Sequence, residues 1–258
     1  MFTLLVVGCA VLGLAIGSFL NVVIYRVPGG QSIVAPPSAC PGCATPIAMR
    51  DNIPLVSWLL LRGKCRACHT PISSRYPLVE LSTAAAFASI AARLGENWAL
   101  PAFLVVSAGL ISLAWIDVEF LLLPRTIVYP VLILESASLL LAADMAGEWN
   151  RLTIALACGT AWFLLFFIIN KINSQWLGYG DVRLSLVLGL ALGWLGVRYV
   201  ILGFFLANLV GAVVGVTLIA MKRATRQQQI PYGLYLALGT LVAVIAGPLL
   251  LAPFRVYA

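Results

Sequence analysis

Charge is what this chain has least of. Asp, Glu, Lys and Arg together make up 10% of its 258 residues, against a hydrophobic share of 62% and a mean hydropathy of +1.03. So few charges cannot cover a water-soluble globule, which excludes an ordinary soluble fold and leaves a polytopic membrane protein. No basic region precedes the first apolar run, from about Phe2 to Tyr25, and its basic residue, Arg26, comes after it. That run therefore lacks the layout of a cleaved signal peptide and reads as a retained helix. No basic run carries interleaved aromatics either: the formal net charge of +7 is scattered through short loops, which excludes a nucleic-acid-binding face. The sequence shows no convincing internal repeat and no low-complexity segment.

What is present in quantity is apolar length. A helical span needs about 20 apolar residues, and eight such stretches fall at about 2–25, 78–94, 99–120, 126–145, 152–172, 182–197, 199–221 and 231–252. The sixth is short and Gly-rich, and "GLALGWLG" with the later "GAVVG" supplies small residues for close helix contacts. The expected fold is all-α and polytopic, with about eight transmembrane helices. Residues 1–26 form the first helix, 27–77 a small extramembrane domain and 78–258 the main transmembrane domain. If 27–77 is cytoplasmic, that side receives Arg26, Arg50, Arg62, Lys64, Arg66, Arg75, Arg125, Lys171, Arg183, Lys222, Arg223 and Arg226, while the other keeps Arg93, Arg151, Arg198 and Arg255. Twelve against four favours this orientation by the positive-inside rule, with both termini non-cytoplasmic.

Against this apolar background two acids stand out. Asp117 lies in "LISLAWIDVEFLLLP" and Asp181 in "GYGDVRLSLVLGLALGW", where an ionised carboxylate costs about 2.5–3.5 kcal/mol at bilayer depth. Span parity brings both to the same membrane edge. "GYG" before an apolar run makes Asp181 a candidate helix N-cap. Two facing carboxylates share one proton, the asymmetry with which aspartic proteases activate water. Glu119, two positions after Asp117, points elsewhere on the helix and is expected at the interface. Glu135, in mid-span, is expected to hydrogen-bond another span or to line a polar cavity. Glu80 reads as a first-turn acid favoured by the helix dipole or as a group facing the active cleft.

Four of the six cysteines fall in the 27–77 segment. "CPGC" at Cys40 and Cys43 precedes "CRAC" at Cys65 and Cys68, and each two-residue spacer aims two sulfurs at one ion, as a tetrahedral structural zinc site requires. Two disulfides are the rival reading, disfavoured in a reducing cytoplasm. His69, the only histidine, is either a fifth candidate ligand or a solvated loop side chain. Cys9 and Cys158 fall inside apolar spans and read as small core residues.

These residues resemble the bacterial type IV prepilin peptidases, also called prepilin leader peptidase/N-methyltransferases, nearly end to end. "GSFLNVVIYRVP" is similar to the family's opening helix, and "CPGC…DNIPLVSWLLLRGKCRACHTPISSRYPLVELST" to its cysteine-bearing segment. "IDVEFLLLP" resembles its first catalytic aspartate region, "GYGD" its GxGD signature, and "IPYGLYLALGT" its closing "PFGPFLALG". The resemblance implies an intramembrane aspartic protease that removes the basic leader of type IV prepilins or pseudopilins after a glycine. It then N-methylates the new N-terminus with S-adenosylmethionine. Asp117 and Asp181 match the catalytic positions, and Gly178 and Gly180 the glycines of the catalytic loop. The implied partners are prepilin substrates and membrane lipid, in the bacterial inner membrane, with no nucleic acid. The chain departs from the family at Arg125, where an acid often follows "LLP", and at Val182-Arg183-Leu184, where "FKL" often follows GxGD. No cofactor-binding fingerprint can be read. A protease without methyltransferase activity, and a scaffold or transporter with a structural zinc, are the rival classes.

Overall fold

The computed structural model describes residues 1–221 and 231–253. Of the basic residues counted above, Lys222, Arg223, Arg226 and Arg255 lie outside the described residues. Within them the chain is helical: α1 (Phe2–Arg26), a 3-10 turn (Met49–Asp51), α2 (Val56–Leu60), α3 (Arg75–Leu94), α4 (Leu100–Phe120), α5 (Arg125–Ala146), α6 (Trp149–Ile172), α7 (Tyr179–Leu195), α8 (Val197–Ala220) and α9 (Tyr232–Leu250). Seven of these, all but α2 and α7, are long and apolar enough to cross a membrane. The residues divide into two compact units, Met1–Gly95 and Glu96–Ala258.

In α7, which answers to the sixth expected span, 17 residues are helical, and twelve of them are buried, from Asp181 to Trp194. It packs against α4, α5, α6, α8 and α9. A helix sheathed by protein does not have to match the hydrocarbon thickness by itself, which is why this one can be short and rich in glycine. On α8, by contrast, only Gly203, Ala207 and Gly215 are buried.

Small residues four apart draw the helices together in three pairs. In the first unit, Cβ atoms built on Gly13 and Gly17 of α1 would stand 2.7 Å from Ala84 Cα and 2.6 Å from Glu80 Cα of α3. In the second, Cβ atoms built on Gly189 and Gly193 of α7 would stand 2.6 and 2.8 Å from Gly159 Cα and Ala155 Cα of α6, and one on Gly239 of α9 would stand 2.6 Å from Ala207 N of α8. Lipid offers no hydrophobic drive for helix association, so close backbone approach and dense packing carry it instead. A side chain at any of these glycines forces the helices apart.

Candidate active site

In the second unit, α4 ends just after Asp117. Leu121 caps it in the left-handed conformation (φ 53°, ψ 40°), and its N–H donates to the Asp117 carbonyl at 2.9 Å. That conformation costs a non-glycine residue about 1–2 kcal/mol, and strain of this kind concentrates at functional sites. The turn runs on to Pro124, which starts α5, and carries Leu123 between the starts of α7 and α9. A Cβ on Gly180 would stand 2.8 Å from Leu123 Cβ. One on Gly233, at the start of α9, would stand 2.8 Å from Leu123 Cδ2 and 3.0 Å from Asp117 Oδ2. Both glycines are therefore needed for lack of room.

Asp117 is 5% exposed and Asp181 9%. The Leu234 N–H, in the first turn of α9, donates to Asp117 Oδ2 at 3.1 Å. Helix α7 begins one turn earlier than the sequence suggested. Its N-cap is Gly178, so Asp181 is the third helical residue and not the cap. The "GYG" turn already has helical backbone after Gly178, which hydrophobic patterning cannot register. A Cβ on Gly178 would lie 3.2 Å from Asp181 Oδ2, while Asp181 Oδ1 is buried with no hydrogen-bond partner among the described residues. Leu123 stands against both the start of α7, which carries Asp181, and the start of α9, whose Leu234 N–H meets Asp117. The Tyr232 hydroxyl donates to Asn208 Oδ1 of α8 at 3.4 Å.

The other acids separate cleanly. Glu119 is exposed, as expected. Glu135 is fully buried, but the hydrogen bond expected for it is absent: neither carboxylate oxygen has a partner among the described residues. The side chains around it, Ala102, Phe103, Val106, Leu139 and Ala191, are all apolar. Glu80 is not a first-turn acid, since α3 begins at Arg75. It is buried in the first unit and its Oε2 accepts the N–H of Leu55 at 2.8 Å. Leu55 has φ 58°, so this carboxylate braces a strained residue at the head of α2.

Cys40, Cys43, Cys65 and Cys68 gather in the first unit with their Sγ atoms within 4.8 Å of one another. Four sulfurs around one zinc at about 2.3 Å stand about 3.8 Å apart, and Cys40 Sγ is 3.7 Å from Cys68 Sγ. That is far beyond the roughly 2.05 Å of a disulfide, and all four thiols are free. The knuckles also reveal a repeat the sequence reading missed, "CPGCATPI" and "CRACHTPI". Cys40 N–H donates to Thr45 O and Ala44 N–H to Cys40 O; Cys65 N–H donates to Thr70 O and His69 N–H to Cys65 O. Ala44 and His69 both have positive φ, at 56° and 57°. His69 thus holds a backbone position in its knuckle, and its side chain is exposed outside the sulfur quartet. The Thr70 hydroxyl, 3.1 Å from Cys68 Sγ, brings that thiol down to about 6, while burial and the neighbouring thiols of Cys65 and Cys43 push Cys40 up to about 11. Arg66 donates to both carboxylate oxygens of Asp51, tying the second knuckle to the 3-10 turn.

Residues 11–94 match the bacterial peptidase A24 N-terminal domain, and residues 104–216 the type IV leader peptidase family. The chain is 36% identical to a prepilin leader peptidase/N-methyltransferase of Stutzerimonas stutzeri, over 97% of this chain and 94% of that protein. It is 35% identical to one of Aeromonas hydrophila, over 91% and 88%, and 42% identical to one of Myxococcus xanthus, over 83% and 63%. No solved structure matches. The chain belongs to the type IV leader peptidase family. It is a multi-pass membrane protein whose cysteine-bearing segment falls in the family's N-terminal region and whose two buried aspartates fall in its peptidase region.

Proposed function

We propose that this protein cleaves the basic leader from type IV prepilins or pseudopilins with Asp117 and Asp181, and then N-methylates the new N-terminal residue. The observation that carries the proteolytic reading is a pair of carboxylates, on α4 and α7, both buried in segments that pack around Leu123. Two carboxylates that face each other in one buried site hold one proton between them. The Leu234 N–H donates to Asp117 Oδ2 and so holds that carboxylate in place. The unprotonated carboxylate takes a proton from water as the water oxygen attacks the scissile carbonyl carbon. The protonated partner gives its proton to the departing nitrogen as the C–N bond breaks. Gly178, Gly180 and Gly233 leave room for these groups and place no side chain over them.

The metal of the cysteine quartet is proposed to be zinc, held by four sulfurs with no open position and so structural. S-adenosylmethionine, when bound, would supply the methyl group for the second reaction. One experiment tests both activities: purified enzyme in vesicles with an intact prepilin, followed by the mass of the mature N-terminus. The expected product has lost its leader and gained one methyl group. An unshifted precursor overturns the reading, and a cleaved but unmethylated product reduces it to proteolysis alone.

We further propose that the protein sits in the bacterial inner membrane with 27–77 cytoplasmic and the loop at Glu148 on the opposite side, from the distribution of Lys and Arg. A cysteine placed at Glu148 in a cysteine-free background is expected to react with an impermeant reagent added to intact spheroplasts. Reaction only after lysis inverts the orientation.

A further inference from the structure

Two arginines at neighbouring helix starts of the second unit have no carboxylate to answer them. Arg183, two residues after Asp181, lies over the Tyr179 ring at 5.2 Å and over the Tyr129 ring of α5 at 6.0 Å. Its Nε donates to the Tyr179 carbonyl at 3.3 Å, which leaves both Nη groups uncommitted. Arg125, exposed at the first residue of α5, precedes Tyr129 by one turn and so shares its face of the helix. Among the described residues neither arginine has an ion-pair partner. The Arg183–Tyr129 contact puts both cations at one end of the packed α5–α7 pair. Two arginines there repel unless an anion lies between them.

The surroundings say which anion. Tyr129 is 46% exposed, Tyr179 50% and Trp176 71%. Tyr and Trp are the side chains that settle at the membrane–water boundary, apolar body inward and polar tip outward. Uncommitted guanidinium groups match phosphate oxygens in both charge and spacing. We propose that Arg125 and Arg183 bind the phosphate of an anionic phospholipid headgroup, with Tyr129 and Tyr179 fixing the Arg183 fork. The site is separate from the cleavage chemistry and stands whether or not the dyad assignment does.

The test is native mass spectrometry of the purified full chain with phosphatidylglycerol, with phosphatidylcholine and inorganic phosphate as comparison arms, alongside thermal melting of the same samples. Phosphatidylglycerol is expected to remain bound and to raise the melting temperature. R125Q/R183Q is expected to bind it about thirtyfold more weakly, and each single variant about fivefold. Should the double variant fail to fold, the two single variants decide. Unchanged retention of phosphatidylglycerol in the variants overturns the proposal. So does equal stabilisation by inorganic phosphate, which would make this a free-anion site, or by phosphatidylcholine, which would make the binding independent of headgroup charge.

Discussion

Asp117→Asn and Asp181→Asn are each expected to lower leader cleavage at least about a thousandfold, a loss of roughly 4 kcal/mol of transition-state stabilisation. Asparagine has nearly the same volume as aspartate, and at position 117 its amide oxygen still accepts the Leu234 N–H. Packing at the site therefore changes little. What is lost is the ability to exchange a proton, and each carboxylate is needed for one of the two transfers. The paired variant should be no worse than either single one, because residues that act as a unit are not additive. Initial rates with an intact prepilin, on variants inserted and purified like the parent, decide the matter. Near-parental cleavage by either single variant would remove the dyad assignment. Methyl transfer to a pre-cleaved peptide is expected to survive in both, since the chemistry on the amine does not use these acids.

The helices of this fold were legible because hydrocarbon demands long apolar runs, and seven of them announce themselves by length. α7 did so least, since hydropathy measures a helix against lipid and this one is measured against protein. Its Gly189 and Gly193 were readable as contact residues, but their partners Gly159 and Ala155 on α6 were not. The two aspartates were visible as charges out of place. Their environment was not. Leu234 touches Asp117 through a backbone N–H, which has no side-chain signature, across 117 positions of sequence. Leu123 is one of three consecutive leucines, and nothing in its type distinguishes the one that wedges between Gly180 and Gly233. Glu135 ran the other way: a mid-span acid led to an expected partner or polar cavity, and among the described residues its carboxylate has no partner. The knuckle repeat was legible in principle, since Cys-x-x-Cys-x-Thr-Pro-Ile occurs twice, but eight residues are too few to stand out until the matching backbone turns are seen.

The largest structural effect is expected from the cysteine quartet. From residue 27 to 77 the one apolar side chain less than a tenth exposed is Cys40, at 8%. This segment therefore has no hydrophobic core of its own, and the isolated bridges Ala39–Pro46 and Lys64–Pro71 offer only single contacts. Bound zinc would take the place of that core, since tetrahedral thiolate sites supply apparent free energies of about 10–16 kcal/mol in small zinc domains. Purified protein is expected to carry one zinc per chain, with sulfur as the sole ligand atom at about 2.3 Å by X-ray absorption. Cys65→Ser should lose the metal, and amides between Cys40 and Thr70 should then exchange with solvent several orders of magnitude faster. Amides in α4 and α7 should keep their protection, because those helices are buried against their own neighbours in the second unit. Chelation of the parental protein should reproduce the same pattern, which separates loss of metal from any local effect of serine. Protein purified without stoichiometric metal, yet with slow exchange across both knuckles, would show that the four thiols hold this segment together in some other way.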